Sequence, residues 1–148
     1  MIEVYVDGSC RGNPGPGGWG AVVIEDGKII NAYSMRDGLT TNNRMEMTAI
    51  LWATAGYGDL NPVVYSDSAY AVNTFNTWMW NWKNNGWRRA RNQPIENLDL
   101  VQKYDNLIRQ GYRIDLRKVA GHSGVKWNEI ADQLATGAIT SEEAMKLG

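Results

Sequence analysis

The sequence predicts an α/β fold: a mixed five-stranded sheet, an antiparallel meander plus two parallel strands, flanked by helices. Three observations carry this. The first 36 residues hold three β-rich runs joined by short connections, which is the pattern of a meander. After residue 40 the apolar residues recur at helical spacing. Two later β-rich runs are each reached through helical sequence, and such crossovers lay strands parallel, with right-handed connections.

The elements follow in order. Residues 2–9, 19–25 and 28–36 are the three strands, the last two separated by Asp26-Gly27, a hairpin dipeptide. In "TTNNRMEMTAILWATAG", Met45, Ala49, Trp52 and Ala53 share a helical face and Gly56 is a stop signal. "NPVVYSDS" is a fourth strand that enters a helix at Asp67 or Ser68. A Trp-rich helical or irregular segment and a basic loop come next. "ENLDLVQKYDNLIRQG" places Leu98, Val101, Leu107 and Ile108 on a helix ended by Gly111, "YRIDLRKVAG" alternates like a strand, and "WNEIADQLATGA" aligns Trp127, Ile130, Ala131, Leu134 and Ala135. In this sheet Asp7, late in the first strand, and Asp67, at the end of the fourth, become neighbours at the carboxyl ends of parallel strands, where functional clefts form.

Gly15, Gly17 and Gly20 match the spacing G-x-G-x-x-G, but the dinucleotide fingerprint needs a helix directly after its glycines. Here "AVVIEDGKII" follows, a strand and a hairpin, so the match is rejected. The chain has 148 residues, one ordinary domain, and its single cysteine, Cys10, can form no internal bridge. The opening strand has no basic head or apolar stretch, and there is no run of roughly 18 apolar residues; a cytoplasmic protein without membrane contact is expected. Net charge is −1 and pI about 5.8, yet residues 68–95 contain no Asp or Glu and carry Lys83, Arg88, Arg89 and Arg91. That +4 stretch leaves the rest of the chain at −5. Such segregation fits either a phosphate-binding footprint or a solvated basic loop.

Four carboxylates stand in unusual places. Asp7 interrupts the β-rich "IEVYV", where Asp is disfavoured; it also fits the start of an Asp-Gly turn. Asp67 fits a helix N-cap. Glu46 shares a face with Ala49, Ile50 and Ala53 and needs a partner there, or closes a capping box with Asn43. Asp132 lies beside the apolar stripe of the last helix and on its own reads as solvated surface. If the four converge, their repulsion demands cations, and hard oxygen donors select Mg²⁺ or Mn²⁺. Two such ions roughly 3.5–4 Å apart suit phosphodiester cleavage. His122, the only histidine, sits between glycines in "AGHSGVKW" and suits either proton transfer or an incidental place in a loop.

Together "YVDGSCRGNPGPGGWG", "TTNNRMEM", "YSDSAY", "NWKNNGW", "GHSG" and "NEIADQLA" resemble type 1 ribonuclease H of the bacterial kind, from about residue 2 to residue 138. The resemblance implies a ribonuclease H-like fold with a catalytic domain over residues 1–138 and a short tail over 139–148. It implies cleavage of the RNA strand of RNA–DNA hybrids by a two-metal mechanism, with Mg²⁺ or Mn²⁺, leaving 5′-phosphate and 3′-hydroxyl ends. By it Asp7, Glu46, Asp67 and Asp132 are catalytic metal ligands, His122 assists proton transfer or product departure, and Glu129 lies near the second metal. Cys10, Asn13, Asn42 and Asn43 match minor-groove positions. Thr41 and Asn97 match residues that grip a DNA-strand phosphate, and the segment from Trp78 through Lys83, Trp87, Arg88 and Arg89 to Arg91 matches a basic protrusion. A monomer is implied.

Some positions depart from that pattern. Ala69 stands where many relatives carry Gln, Glu96 replaces a basic residue, and Asn84-Asn85 replaces positive charge, so weaker hybrid affinity is expected. Two other functions compete: a noncatalytic nucleic-acid-binding module, which gives no reason to keep four acids in a cleft, and a DNA-cutting integrase or resolvase, which "TTNNR" and the Trp/Arg segment argue against.

Overall fold

The computed structural model describes residues 1–121 and 124–148; the catalytic assignment to His122 falls outside the described residues. The sheet contains five strands in the order β3-β2-β1-β4-β5. β1 (Ile2–Cys10), β2 (Gly15–Glu25) and β3 (Lys28–Thr40) form the antiparallel meander. Asp26 and Gly27 both take positive φ, 53° and 75°, the left-handed pair that a two-residue hairpin turn requires. β4 (Val63–Ser66) lies parallel to β1, and β5 (Asp115–Lys118) parallel to β4. The expected mixed sheet is therefore observed.

Strand limits differ from those expected in one instructive place. β2 begins at Gly15 and β3 runs on to Thr40, so Gly15, Gly17, Gly18 and Gly20 lie inside the sheet and pair with neighbours. Only the short link between β1 and β2 turns. The glycines are there for close approach: a Cβ on Gly20 would strike Leu134 Cβ and stand 2.8 Å from both the Ala131 carbonyl and the Ala135 nitrogen. This lets a helix lie directly on β2.

α1 (Asn42–Tyr57) starts at Thr41, whose hydroxyl accepts from the Arg44 N–H. It passes the expected stop at Gly56 and ends at Gly58, whose N–H donates to Thr54. Gly58 is the required glycine because a Cβ there would crowd Thr54 and Tyr112, whereas Gly56 faces open space. The Trp-rich segment is helical: α2 (Ala69–Asn73), a π-helical turn (Thr74–Trp78) and α3 (Met79–Asn84). α4 (Leu98–Arg109) buries Leu100, Val101 and Tyr104. Leu98 is only half-buried at its start, so the inward face is rotated from the one expected. α5 (Lys126–Thr136) buries Ile130, Ala131, Leu134 and Ala135 as its pattern predicts. In the tail, α6 (Ser141–Met145) closes with a capping box between Thr140 and Glu143 and buries Ala144.

Side chains alternate across β1, and this divides the core. Val4 and Val6 pack with α1, α2 and α4, while Tyr5 joins Val22, Ile24 and the buried face of α5. Asp7 shares the parity of Tyr5, which turns it toward α5. Among the described residues, no helix is long and apolar enough to cross a membrane.

Candidate active site

Four elements bring the acids together. Asp7 lies near the end of β1, Glu46 in α1, Asp67 just past β4, and Asp132 in α5. One carboxylate oxygen from each of Asp7, Glu46 and Asp67 falls within 4.8 Å of the others. Asp132 interacts with Asp7 and lines the same cleft of about 460 Å³, together with Gly8, Ser9, Cys10, Asn42, Asn43 and Ser68. The competing local roles go to other residues. Ser68, not Asp67, caps α2 by accepting from Ala71, and Thr41, not Asn43, caps α1, so Glu46 closes no capping box. Each acid is left for the cleft.

Gly8 makes the closeness of Asp7 and Glu46 possible. A Cβ there would meet the Glu46 nitrogen and stand 2.7 Å from the Met45 carbonyl carbon, so α1 packs on bare backbone. The Gly8 N–H donates to Asp7 Oδ1 at 2.9 Å. Ser66, at the end of β4, is fully buried; its hydroxyl accepts from Ser68 N–H at 3.1 Å and donates to Glu46 Oε2 at 3.5 Å. No local pattern singles out Ser66 or Gly8, because their value lies in contacts with distant elements.

The cleft is electrostatically unsatisfied as a bare protein. Asp7 and Glu46 are 4% and 7% exposed. Burial pushes the Asp7 carboxyl up to about 7, the Asp67 charge and the contact with Asp132 act the same way, and hydrogen bonds to Glu46 and from Gly8 oppose them. Glu46 is raised well above the usual range, first by burial and then by the Asp7 charge. Buried carboxylates this close need a counter-charge. Among the described residues no Lys or Arg lines the cleft, and the Cys10 thiol is directed to the carbonyls of Gly12, Gly15 and Thr40. An all-oxygen donor set of clustered carboxylates fits a hard divalent cation, Mg²⁺ or Mn²⁺.

Other sequence-predicted residues are placed less uniformly. Cys10, Asn42 and Asn43 line the cleft, and Asn13 Oδ1 accepts from the Asn42 N–H at 3.1 Å, which joins that loop to the start of α1. Glu129 is exposed, one turn before Asp132 on α5, and is not among the cleft-lining residues. Gly121 stands against Asp67, with its Cβ position 3.2 Å from Oδ2. Trp78 is exposed and, with Tyr70, Trp82, Arg89 and Glu96, lines a second hollow of about 380 Å³. Trp87 is half-buried against the α1-side core. Lys83 Nζ is 2.8 Å from the buried Asp105, which also takes Arg109 at 3.2 Å. That ion pair ties α3 to α4, and the exposed cations of the segment are Arg88, Arg89 and Arg91.

Fold and cleft together define an α/β enzyme whose acidic centre is fitted to a divalent metal. The family model for RNase H matches residues 1–140. The ribonuclease H of Chromobacterium violaceum is 42% identical over 141 residues, 95% of each chain, and that of Polaromonas naphthalenivorans is 45% identical over 136 residues, 90% of this chain and 84% of its own. The crystal structure of LC9-RNase H1, a type 1 RNase H with the type 2 active-site motif, superposes with a TM-score of 0.79 at 32% identity, over 97% of this chain and 72% of that one. LC11-RNase H1, solved with an RNA/DNA hybrid, shares the fold at a TM-score of 0.67 and 22% identity, over 98% of this chain and 99% of that one. The chain belongs to the ribonuclease H family and has its fold.

Proposed function

We propose that the protein hydrolyses the RNA strand of RNA–DNA hybrids with two divalent cations, Mg²⁺ or Mn²⁺, leaving 5′-phosphate and 3′-hydroxyl ends. The observation that carries this is the convergence of Asp7, Glu46 and Asp67 within 4.8 Å, with Asp132 across the same cleft. Family membership supports the hybrid as substrate. Bound there, paired cations supply water activation and stabilisation of the leaving oxygen. The four acids would hold them, and the Gly8 and Ser66 hydrogen bonds fix two of those acids in place. His122 serves proton transfer or product departure, and Glu129, exposed one turn before Asp132 on α5, would approach the second metal from the rim of the cleft.

Substrate recognition reads shape and the 2′-hydroxyl across the minor groove. Cys10, Asn13, Asn42 and Asn43 serve there, supported by the tie between Asn13 and the start of α1. Thr41 and Asn97 grip a phosphate of the DNA strand. Trp78, Trp87, Arg88, Arg89 and Arg91 follow the backbone, and Lys83 anchors their segment through Asp105. Residues 1–138 form the catalytic unit in this reading, with 139–148 a packed tail, and the protein acts as a monomer in the cytoplasm.

Incubating labelled hybrid, RNA duplex and DNA duplex with Mg²⁺, Mn²⁺ or chelator tests the function. Cutting confined to the RNA of the hybrid, and lost on chelation, is the expected result; cleavage of the DNA duplex alone, or binding without cutting, rejects it. His122→Ala should slow turnover on the order of 10²-fold, as loss of a general acid–base group does. Replacing Arg88, Arg89 and Arg91 together by Ala should flatten the salt dependence of hybrid binding by about 0.7–0.9 in slope for each phosphate no longer neutralised. An unchanged slope in a binding titration would remove those arginines from the interface.

A further inference from the structure

Asn97 is the N-cap of α4, a position where Asn ordinarily turns its side-chain oxygen onto the first N–H groups of the helix. Here it does not: the backbone is left-handed, with φ 57° and ψ 31°, and there is no side-chain cap hydrogen bond. The amide oxygen instead accepts from Arg44 Nη1 at 3.1 Å, and Nδ2 donates to the Tyr70 hydroxyl at 3.4 Å. Among the described residues the second N–H of Nδ2 has no partner. Tyr70 lines the hollow that also contains Trp78, Trp82, Arg89 and Glu96, and its aromatic faces suit a single nucleic-acid strand.

Arg44 is itself held in place. Its guanidinium forks onto Asp99, with Nη1 3.0 Å from Oδ1 and Nη2 2.9 Å from Oδ2, and its backbone N–H donates to the Thr41 hydroxyl at 3.2 Å. One residue therefore touches both Thr41 and Asn97. A guanidinium has only donors, so a flipped Asn97 amide would set donor against donor. The chemistry permits a single orientation, with the oxygen taken and the N–H edge left over.

We propose that Arg44 is a positioning residue for the substrate: by occupying the Asn97 oxygen it makes that amide a fixed donor to a backbone phosphate beside the aromatic hollow. The inference rests on the hybrid-cleaving reading above. Arg44 neutralises no phosphate in this arrangement, because its charge is matched by Asp99.

The test compares wild type, Arg44→Met, Asn97→Ala and the double variant on a labelled hybrid in Mg²⁺. Each single change should raise KM about 5–10-fold, the size of one hydrogen bond, with the loss falling on KM rather than kcat. The double variant should be no worse than Asn97→Ala alone, since Arg44 acts through Asn97. Arg44→Lys, which keeps the charge but cannot fork, should resemble Arg44→Met. The salt slope of binding should be unchanged in Arg44→Met. Multiplying KM effects in the double variant, a slope reduced by about 0.7–0.9, wild-type KM in Arg44→Met, or wild-type KM in Asn97→Ala each overturns the inference while leaving hybrid cleavage intact. Failure of the wild type to cut the hybrid defeats the functional reading itself.

Discussion

Asp7→Asn is expected to abolish hybrid cleavage and, without divalent cations, to make the protein more stable. The two effects share one cause. Asp7 is buried beside Glu46 and Asp67, and its carboxyl is held up near 7, against an ordinary value of 3.8. A folded-state value above the unfolded one means that the native protein binds the proton more tightly. Stability from this group is complete below about pH 4 and declines as pH rises toward 7. Asn cannot ionise, so the variant escapes that decline while losing a charged metal ligand. Around pH 8 the variant should therefore melt several degrees above the wild type. Melting curves in chelator at pH 5 and pH 8 measure it: the gap between variant and wild type should widen with pH. Added Mg²⁺ should raise the wild-type Tm more than that of the variant, because ligand binding stabilises only a fold that can hold the ligand. A gap that stays constant or narrows, or a variant that still cleaves, contradicts the arrangement of the site.

Gly20→Ala is expected to be strongly damaging although it adds a single methyl group. Gly20 pairs directly with Asp7 across β1 and β2, and α5 rests on it. The added Cβ would meet the backbone at Ala131 and Ala135 as well as Leu134, and backbone cannot swing aside. Overpacking of this kind costs about 1–3 kcal/mol. It also pushes α5, and with it Asp132, away from Asp7; a displacement near 1 Å in a reacting constellation costs on the order of 10²-fold in rate. Gly56→Ala is the control. It sits in α1 facing open space, and it should stabilise the helix by about 0.5–1 kcal/mol with activity retained. Denaturant midpoints and kcat for the two variants decide the matter, and equal behaviour would discount the role of Gly20 as a seat for α5.

The same glycine shows where reading the sequence stops. The spacing of Gly15, Gly17 and Gly20 resembles a nucleotide loop, and the strand after it excludes that correctly. Nothing local, however, reveals that β2 already begins at Gly15, ahead of the strand expected over residues 19–25, or why Gly20 inside that strand must be glycine. A strand glycine is justified by what lies above it, and for Gly20 that is Leu134, near the other end of the chain. Lys83 teaches the same lesson: as a charge in a basic run it fits a phosphate-binding footprint or a solvated loop, and only the packing of α3 on α4 reveals its pairing with buried Asp105.

The sequence by itself determined the order and type of nearly every element and the parallel placement of β4 and β5, and its resemblance to ribonuclease H marked the acids to look for. Alternation, helical spacing and hairpin dipeptides are local signals that any folded context must respect. Tertiary structure alone decided which of two local roles each acid takes. Asp67 and Glu46 both fit helix caps in the sequence, and they are released for the cleft because Ser68 and Thr41 perform the capping. It also decided that Gly8 and Gly20 let α1 and α5 approach β1 and β2, since the distance between two helices and a sheet is set by atoms far apart in the chain.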